Sequence, residues 1–393
     1  MTRDVVILDG ARTAIGTFGG AFANTPPTAL AAHVARAALE RSGVDGADIG
    51  HVVFGHVFNT EARDMYLCRV AAIEAGIPDT APAMNVNRLC GSGAQAVVSG
   101  LQAIAMGDTD YALAGGAECM SRSPHGLQSA RFGQKMGDTA AVDMMIGALS
   151  CPFGTGHMGV TAENVAAERG ISRDEQDAFA LTSQKRAGAA MAEGRFARDI
   201  APFTIKTRKG EIAVDTDEHP KPATTPDDLA RLRPVFRKDG TVTAGNASGI
   251  NDGAAALVLG EAEAAEKAGR TIRARVLGYA HAGVRPEVMG IGPIPAVETL
   301  LVRTGLAAAD FDVIESNEAF AAQALAVNKA LALDPDKVNP NGGAIALGHP
   351  IGATGAVLVL KCLAELERTG GKRGLVTMCI GGGQGIALAL ERA

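Results

Sequence analysis

Short β-branched and apolar runs alternate along this chain with longer Ala- and Leu-rich runs. In the longer runs, apolar positions recur every three or four residues. That alternation is the pattern of an α/β protein. Residues 5–8 predict a strand, and residues 28–41 a helix that stops at Ser42 and Gly43. Residues 49–54 predict a second strand, Ala83–Val86 a third, Ser92–Met106 an apolar helix, and 111–114 a strand ending at Gly115 and Gly116.

The same order returns in the last third. Residues 39–55 align without gaps on 301–317 with five identities, and their apolar strand positions correspond. Downstream, each half has a Gly-containing turn, an apolar helix, a strand and a glycine cluster (Gly115-Gly116; Gly381-Gly382-Gly383). A duplicated α/β unit is expected. Between the copies, 121–160 is irregular and rich in Gly, Met and Arg. The capping box Ser172 to Glu175 then announces a helix, and 201–240 is polar and punctuated by proline. The expected division is a first half of 1–120 plus 249–271, a loop domain of 121–248 inserted into it, and a second half of 272–393. Long irregular segments of this kind suit a binding loop.

Composition narrows the function classes. The 393 residues exceed what one small core needs, and 47% apolar with 20% charged residues fits a folded globular protein. A net charge of −6 argues against a nucleic-acid partner. The segment 195–240 runs against that balance, with ten Lys/Arg to eight Asp/Glu, enough for a local anion-binding neighbourhood. No run approaches the ~18 apolar residues of a membrane span, and the first residues carry no signal-type apolar region. The six cysteines show no CxxC spacing and no paired framework, so a reduced cytoplasmic compartment is expected.

Four local constellations can carry chemistry. In Asn87-Arg88-Leu89-Cys90-Gly91-Ser92-Gly93 a cysteine stands where a strand gives way to a helix, near the positive end of a helix dipole that favours thiolate; a small buried hydrophobe is the alternative reading. In Gly348-His349-Pro350-Ile351-Gly352 a histidine in a glycine-rich loop occupies the half equivalent to that of Cys90, which makes it a base candidate. In Cys379-Ile380-Gly381-Gly382-Gly383 a strand-end cysteine precedes backbone N–H groups that can face an oxyanion. A phosphate loop competes for that last reading, but neither GxxxxGK[ST] nor a Rossmann fingerprint is present. In Ser316-Asn317-Glu318-Ala319-Phe320, Asn317 can hold a water or orient His349, or it can cap a helix.

Taken together and in this order, these motifs resemble the thiolase family across essentially the whole chain. Arg12-Thr13-Ala14-Ile15-Gly16, the run from His157 to Asn164 and the run from Ala244 to Ala255 belong to the same resemblance. It implies two βαβαβαββ halves in a five-layered α/β/α/β/α arrangement, with a CoA-binding loop domain inserted. It implies reversible Claisen condensation, acetyl-CoA plus acyl-CoA giving 3-ketoacyl-CoA plus CoA, by a ping-pong route. Cys90 would accept the acyl group, His349 would activate it, and Cys379 would exchange a proton with the α-carbon. Asn317 with a water and His349 would form one oxyanion site, and the N–H groups of Cys90 and Gly381 the other.

Positions matching the family's CoA and acyl contacts are Leu149, His157, Met158, Phe236, Ala244, Ser248, Ala319 and Phe320. Lys221 stands where many relatives have arginine, keeping charge but losing the planar fork. CoA thioesters enter as substrates, and no resident cofactor or metal is implied. The segment around Cys68 resembles broad-range β-ketothiolases of bacterial polyester metabolism, and residues 131–149 resemble a tetramerisation loop, so a homotetramer is expected. A decarboxylating ketoacyl synthase and a thioester hydrolase share parts of this pattern, but neither needs Cys379. A non-catalytic acyl-CoA-binding protein would need neither Cys90 nor His349.

Overall fold

The computed structural model describes residues 3–208 and 210–393, so Met1, Thr2 and Lys209 of the basic segment lie outside it. The first half contributes strands in the spatial order Ala83–Val86, Ile49–Gly55, Tyr111–Cys119, Asn251–Glu261 and Val5–Arg12. The second contributes Val313–Ser316, Arg373–Ile380, Gln384–Arg392 and Ala274–Gly283. The two orders correspond: Ile49–Gly55 and Val313–Ser316 each run parallel to the next strand inward, and the pairs further inward are antiparallel; Ala83–Val86 adds a parallel pair outside Ile49–Gly55. Where the first half has Ala83–Val86, the second has one parallel bridge between Ile314 and Val338. The halves meet where Val6 and Ile7 pair with Arg275 and Ala274, so hydrogen bonding runs unbroken from one half into the other.

Helices complete the layers. Pro27–Ser42 covers one outer face and Pro293–Thr304 the other, while Ser92–Met106 and Thr354–Thr369 lie between, the latter against strands of both halves. The result is the expected α/β/α/β/α stack. Both central helices bury side chains around most of their circumference, as a helix enclosed on all sides must. The segment Leu89–Met106 has the length and composition of a membrane span, yet here it packs in the interior.

The central helices cross with their N-termini in backbone contact. A Cβ on Gly93 would stand 2.9 Å from the Ala356 nitrogen, and one on Gly355 would collide with the amide of Ala94. Only glycine allows that separation. The loops ahead of these helices carry Cys90 and His349, so the crossing brings both to one end of the stack.

The aligned repeats fold alike. Each closes an outer helix with a left-handed glycine, Gly43 (φ 66°) or Gly305 (φ 68°), then makes a short 3₁₀ turn and enters a strand. One expectation fails: the strand expected to end at Gly115-Gly116 continues to Cys119. Those glycines sit inside it because the Ala255 carbonyl presses on one and the Gly352 carbonyl on the other. They mark close approach of neighbouring backbone, not a strand end.

After Cys119 the chain leaves the sheet and returns at Asn251. Between lie the helices Met158–Arg169 and Arg173–Ala192, the second opened by the Ser172–Glu175 capping box. Arg12, buried at the end of the first strand, grips Asp217 of this excursion through two hydrogen bonds of 2.7 and 2.9 Å. A paired fork satisfies both buried charges, whereas removing one partner would leave the other stranded.

Gly355→Ala should lower the unfolding free energy by more than about 2 kcal/mol, because the Cβ meets backbone that cannot swing aside. Denaturant titration measures this. A change below about 0.5 kcal/mol would show that the crossing has slack.

Candidate active site

Cys90 sits in a tight turn between the strand Ala83–Val86 and the helix Ser92–Met106. The Ser92 hydroxyl fixes that turn, accepting from the Arg88 N–H at 2.9 Å and donating to the Leu89 carbonyl at 2.6 Å. Leu89, immediately before the cysteine, is held at φ 47°, a left-handed conformation that a branched side chain seldom adopts. Local strain of this kind costs about 1–3 kcal/mol and gathers at functional sites.

His349 is buried on the loop ahead of the second central helix. The Asn251 side chain fixes its backbone, the His349 N–H donating to Oδ1 at 2.9 Å. Its Nδ1 stands 2.7 Å from the Thr354 hydroxyl oxygen, and that hydroxyl has one proton, which it donates to the Pro350 carbonyl at 2.9 Å. The network therefore assigns the imidazole proton to Nδ1 and leaves a lone pair on Nε2. Asn317 Nδ2 approaches that Nε2 at 3.4 Å, and Asn317 Oδ1 is buried without a partner among the described residues. Asn317 is not a helix cap, because the next helix starts at Ala321 with Phe320 as its N-cap residue.

Cys379, fully buried, is the penultimate residue of the strand Arg373–Ile380, and the chain turns through Gly381–Gly383 straight after it. The Gly381 N–H faces the Cys90 sulfur. These groups converge: Cys90, His349, Cys379 and Gly381 all line one cavity of about 380 Å³. Asn317 lies behind His349, off the cavity wall.

The electrostatics are those of a dry, neutral site. Burial pushes the Cys90 thiol up to about 11; the Gly381 N–H pulls the other way and the charge of Glu118 adds to the rise. This opposes the helix-dipole expectation of a resting thiolate, because desolvating an anion outweighs a half-charge at the helix end. Burial also pushes His349 down to about 4. Cys379 is driven above the ordinary thiol range by burial first and by the Cys90 charge second. The resting site thus holds two thiols and a neutral imidazole.

The excursion 120–250 supplies the mouth and upper wall. Leu149, His157, Met158, Phe236, Ala244 and Ser248 all line the cavity, joined by Ala319 and Phe320 from the second half. The His157 and Phe236 rings stack at 4.8 Å, and Phe236 meets Phe320 edge-on at 6.3 Å. Lys221 is not brought to this wall; it is exposed, its backbone N–H donating to the Gln184 side chain at 2.7 Å. Met120, Met289 and Ile351 line the cavity as well, and reading the sequence missed Met120 and Met289. Isolated apolar residues in loops carry no signal that separates them from ordinary core. Among the described residues no cluster of His, Cys, Asp and Glu is arranged to hold a metal.

Comparison with known proteins agrees with this geometry. The model of the thiolase N-terminal domain matches residues 5–263, and that of the thiolase C-terminal domain matches 270–392. The chain is 59% identical over 393 residues to the beta-ketothiolase BktB of Cupriavidus necator, covering all of both chains. The acetyl-CoA acetyltransferase of Bacillus anthracis superposes with a TM-score of 0.98 at 44% identity, over 100% of this chain and 99% of that one. Human mitochondrial 3-ketoacyl-CoA thiolase in complex with CoA superposes at 0.96 with 42% identity, over 100% of this chain and 98% of that one. The chain belongs to the thiolase family.

Proposed function

We propose that this protein catalyses reversible acyl transfer between CoA thioesters, joining acetyl-CoA and an acyl-CoA into a 3-ketoacyl-CoA and releasing CoA. The observation that carries the reading is the convergence of two thiols, a base-form histidine and the Gly381 backbone N–H on one apolar cavity.

Cys90 attacks the thioester carbonyl while its proton passes to His349 Nε2. The negative charge moves to the carbonyl oxygen and collapses onto the CoA sulfur, and that sulfur leaves with the Cys379 proton, so Cys379 becomes a thiolate while His349 Nε2 keeps the proton from Cys90. Acyl-Cys90 remains. Because both partners start neutral in a dry site, no ion pair has to be desolvated before the thioester arrives. Once acylated, Cys90 can no longer carry a charge, which would oppose ionisation of Cys379. Cys379 then takes a proton from the α-carbon of acetyl-CoA, and the enolate oxygen rests on His349 and on a water that Asn317 Oδ1 can hold. The enolate carbon attacks acyl-Cys90, and the oxyanion that forms accepts from the N–H groups of Cys90 and Gly381. Loss of the Cys90 sulfur, reprotonated from His349, frees the product and restores two thiols and a neutral imidazole. Each well-placed donor in such a site is worth about 3–4 kcal/mol of barrier.

The CoA arm enters past the stacked His157 and Phe236, over Ala244 and Ser248, in the excursion taken as the CoA-binding loop domain of 121–248. Lys221 stays outside this path and is left to solvent. Met120, Met289 and Ile351 give the acyl end an adaptable apolar wall, which favours chains longer than acetyl. The protein works as a homotetramer in the cytoplasm. What supports the assembly is the segment 127–153, where Leu127, Val142, Ile146 and Phe153 are exposed and Phe132 and Met136 are 90% and 89% exposed. Apolar patches this open mark contact surfaces.

Wild type should cleave acetoacetyl-CoA and 3-ketohexanoyl-CoA in the presence of CoA, and Cys90→Ala should lose at least roughly 10³-fold in rate. Loss of ketoacyl-CoA absorbance follows the reaction. Radiolabelled acetyl-CoA should leave label on denatured wild type and on Cys379→Ala, but none on Cys90→Ala. No label on wild type would sink the covalent route. The nitrogen resonances of His349 should report a neutral ring protonated on Nδ1 at pH 6, since its basicity is lowered and not raised. Thr354→Val should shift protons to Nε2 and slow acylation about tenfold. An imidazolium at pH 6 would contradict the site's electrostatics.

A further inference from the structure

The walls of the cavity belong to two separate apolar clusters, one around each thiol. Cys379 packs with Met158, Met289, Ala319, Phe320 and Phe236, on the side past which the CoA arm enters. Cys90 packs against the other cluster, whose buried core is Phe58, Met120 and Ile351, flanked by Leu149 and Ile250. Met120, Leu149 and Ile351 reach the cavity surface, whereas Phe58 is buried behind them, off the cavity wall. A thioester carries its CoA arm and its acyl tail on opposite sides of the carbonyl. With that carbonyl at Cys90 and the arm running over the Cys379 cluster, the tail is left with the Phe58 cluster.

The far side of this cluster is held by backbone. Glu118, the penultimate residue of the strand Tyr111–Cys119, has its carboxylate buried between the two segments that build it. Oε1 accepts from the Phe58 N–H at 3.1 Å, and Oε2 accepts from the Val57 N–H and from the Gly352 N–H, each at 3.0 Å. Gly352 follows Ile351, and a Cβ on it would press into Oε2, so this turn sits as close to the carboxylate as a backbone can. Phe58 and Ile351 are thereby fixed relative to each other. Met120 is the adaptable member, an unbranched side chain with several low-energy rotamers.

We propose that Phe58 sets the length of acyl chain that Cys90 accepts. Met120 swings aside for a growing tail, and the tail ends against the Phe58 ring, which the Glu118 clamp keeps from retreating. A residue outside the wall of the resting cavity thus fixes the substrate range, and the Met289 side leaves it unchanged.

The proposal rests on the acyl-transfer reading, and the experiment separates the two. Wild type, Phe58→Ala, Phe58→Leu and Met289→Ala are each incubated with butanoyl-, hexanoyl- and octanoyl-CoA. The rate of acyl transfer to the Cys90 peptide is read by mass spectrometry. In Phe58→Ala the octanoyl-to-butanoyl rate ratio should rise at least roughly tenfold, because every methylene admitted to an apolar pocket multiplies the rate several-fold. Phe58→Leu should move the ratio the same way by less. A fold that is merely loosened lowers all the rates together and leaves the ratio where it was, so an unchanged ratio in both variants overturns the proposal. A rise in Met289→Ala with none at Phe58 overturns it too, since the tail would then run along the Cys379 cluster. If Phe58→Ala does not fold, Phe58→Leu decides. Absence of any acyl group from wild-type Cys90 would instead strike the acyl-transfer reading itself.

Discussion

The backbone contact between the two central helices is the constraint on which the site depends. Each half of the duplicated fold ends one of its loops at the N-terminus of such a helix. One loop presents a nucleophile and the other a base. Were the helices separated by ordinary side chains, the loops would part by several ångströms and Cys90 and His349 would face different cavities. Gly93 and Gly355 remove the side chains at the crossing, and Glu118 accepts from the Gly352 N–H of the His349 turn and from the Val57 and Phe58 N–H groups of the first half. Duplication supplied two similar frames; the glycines made them one site.

The site's electrostatics follow from being sealed by that crossing. Low dielectric surroundings raise both thiols and lower the imidazole, so charge is absent until the substrate brings an acceptor for it. Charge then moves in sequence, from the Cys90 sulfur to the thioester oxygen and later from Cys379 to the enolate. The buried Arg12 and Asp217 are paired with each other and removed from the chemistry. Permanent charge holds the scaffold; transient charge does the work.

Much of this could be read before any coordinates. The repeat of 39–55 in 301–317 foretold matched helix, turn and strand, because glycine at the helix end and apolar strand positions are local requirements. Ser92–Met106 and the Ser172 cap were legible for the same reason. The strand through Gly115-Gly116 was cut short in reading because glycine signals a turn locally. Its true cause, pressure from the Ala255 and Gly352 carbonyls, is long-range and invisible along the chain. The helix dipole favoured a thiolate at Cys90, beside the reading of a small buried hydrophobe, whereas burial, which sequence does not report, raises the thiol. Met120, Met289 and the strained Leu89 gave no warning at all, since only the folded cavity distinguishes them from other apolar residues.

The unbroken ladder has a consequence for how such a chain can be made. The strand Val5–Arg12 is flanked on one side by Asn251–Glu261 and on the other by Ala274–Gly283. Both neighbours lie more than 240 residues downstream. As the chain leaves the ribosome, its first strand therefore waits with both edges open until about two-thirds of synthesis is complete. Pairings this distant are slow, and unpaired edges attract other chains. The nascent first half should consequently depend on chaperones until residue 275 has emerged, although the finished protein buries that strand between two neighbours.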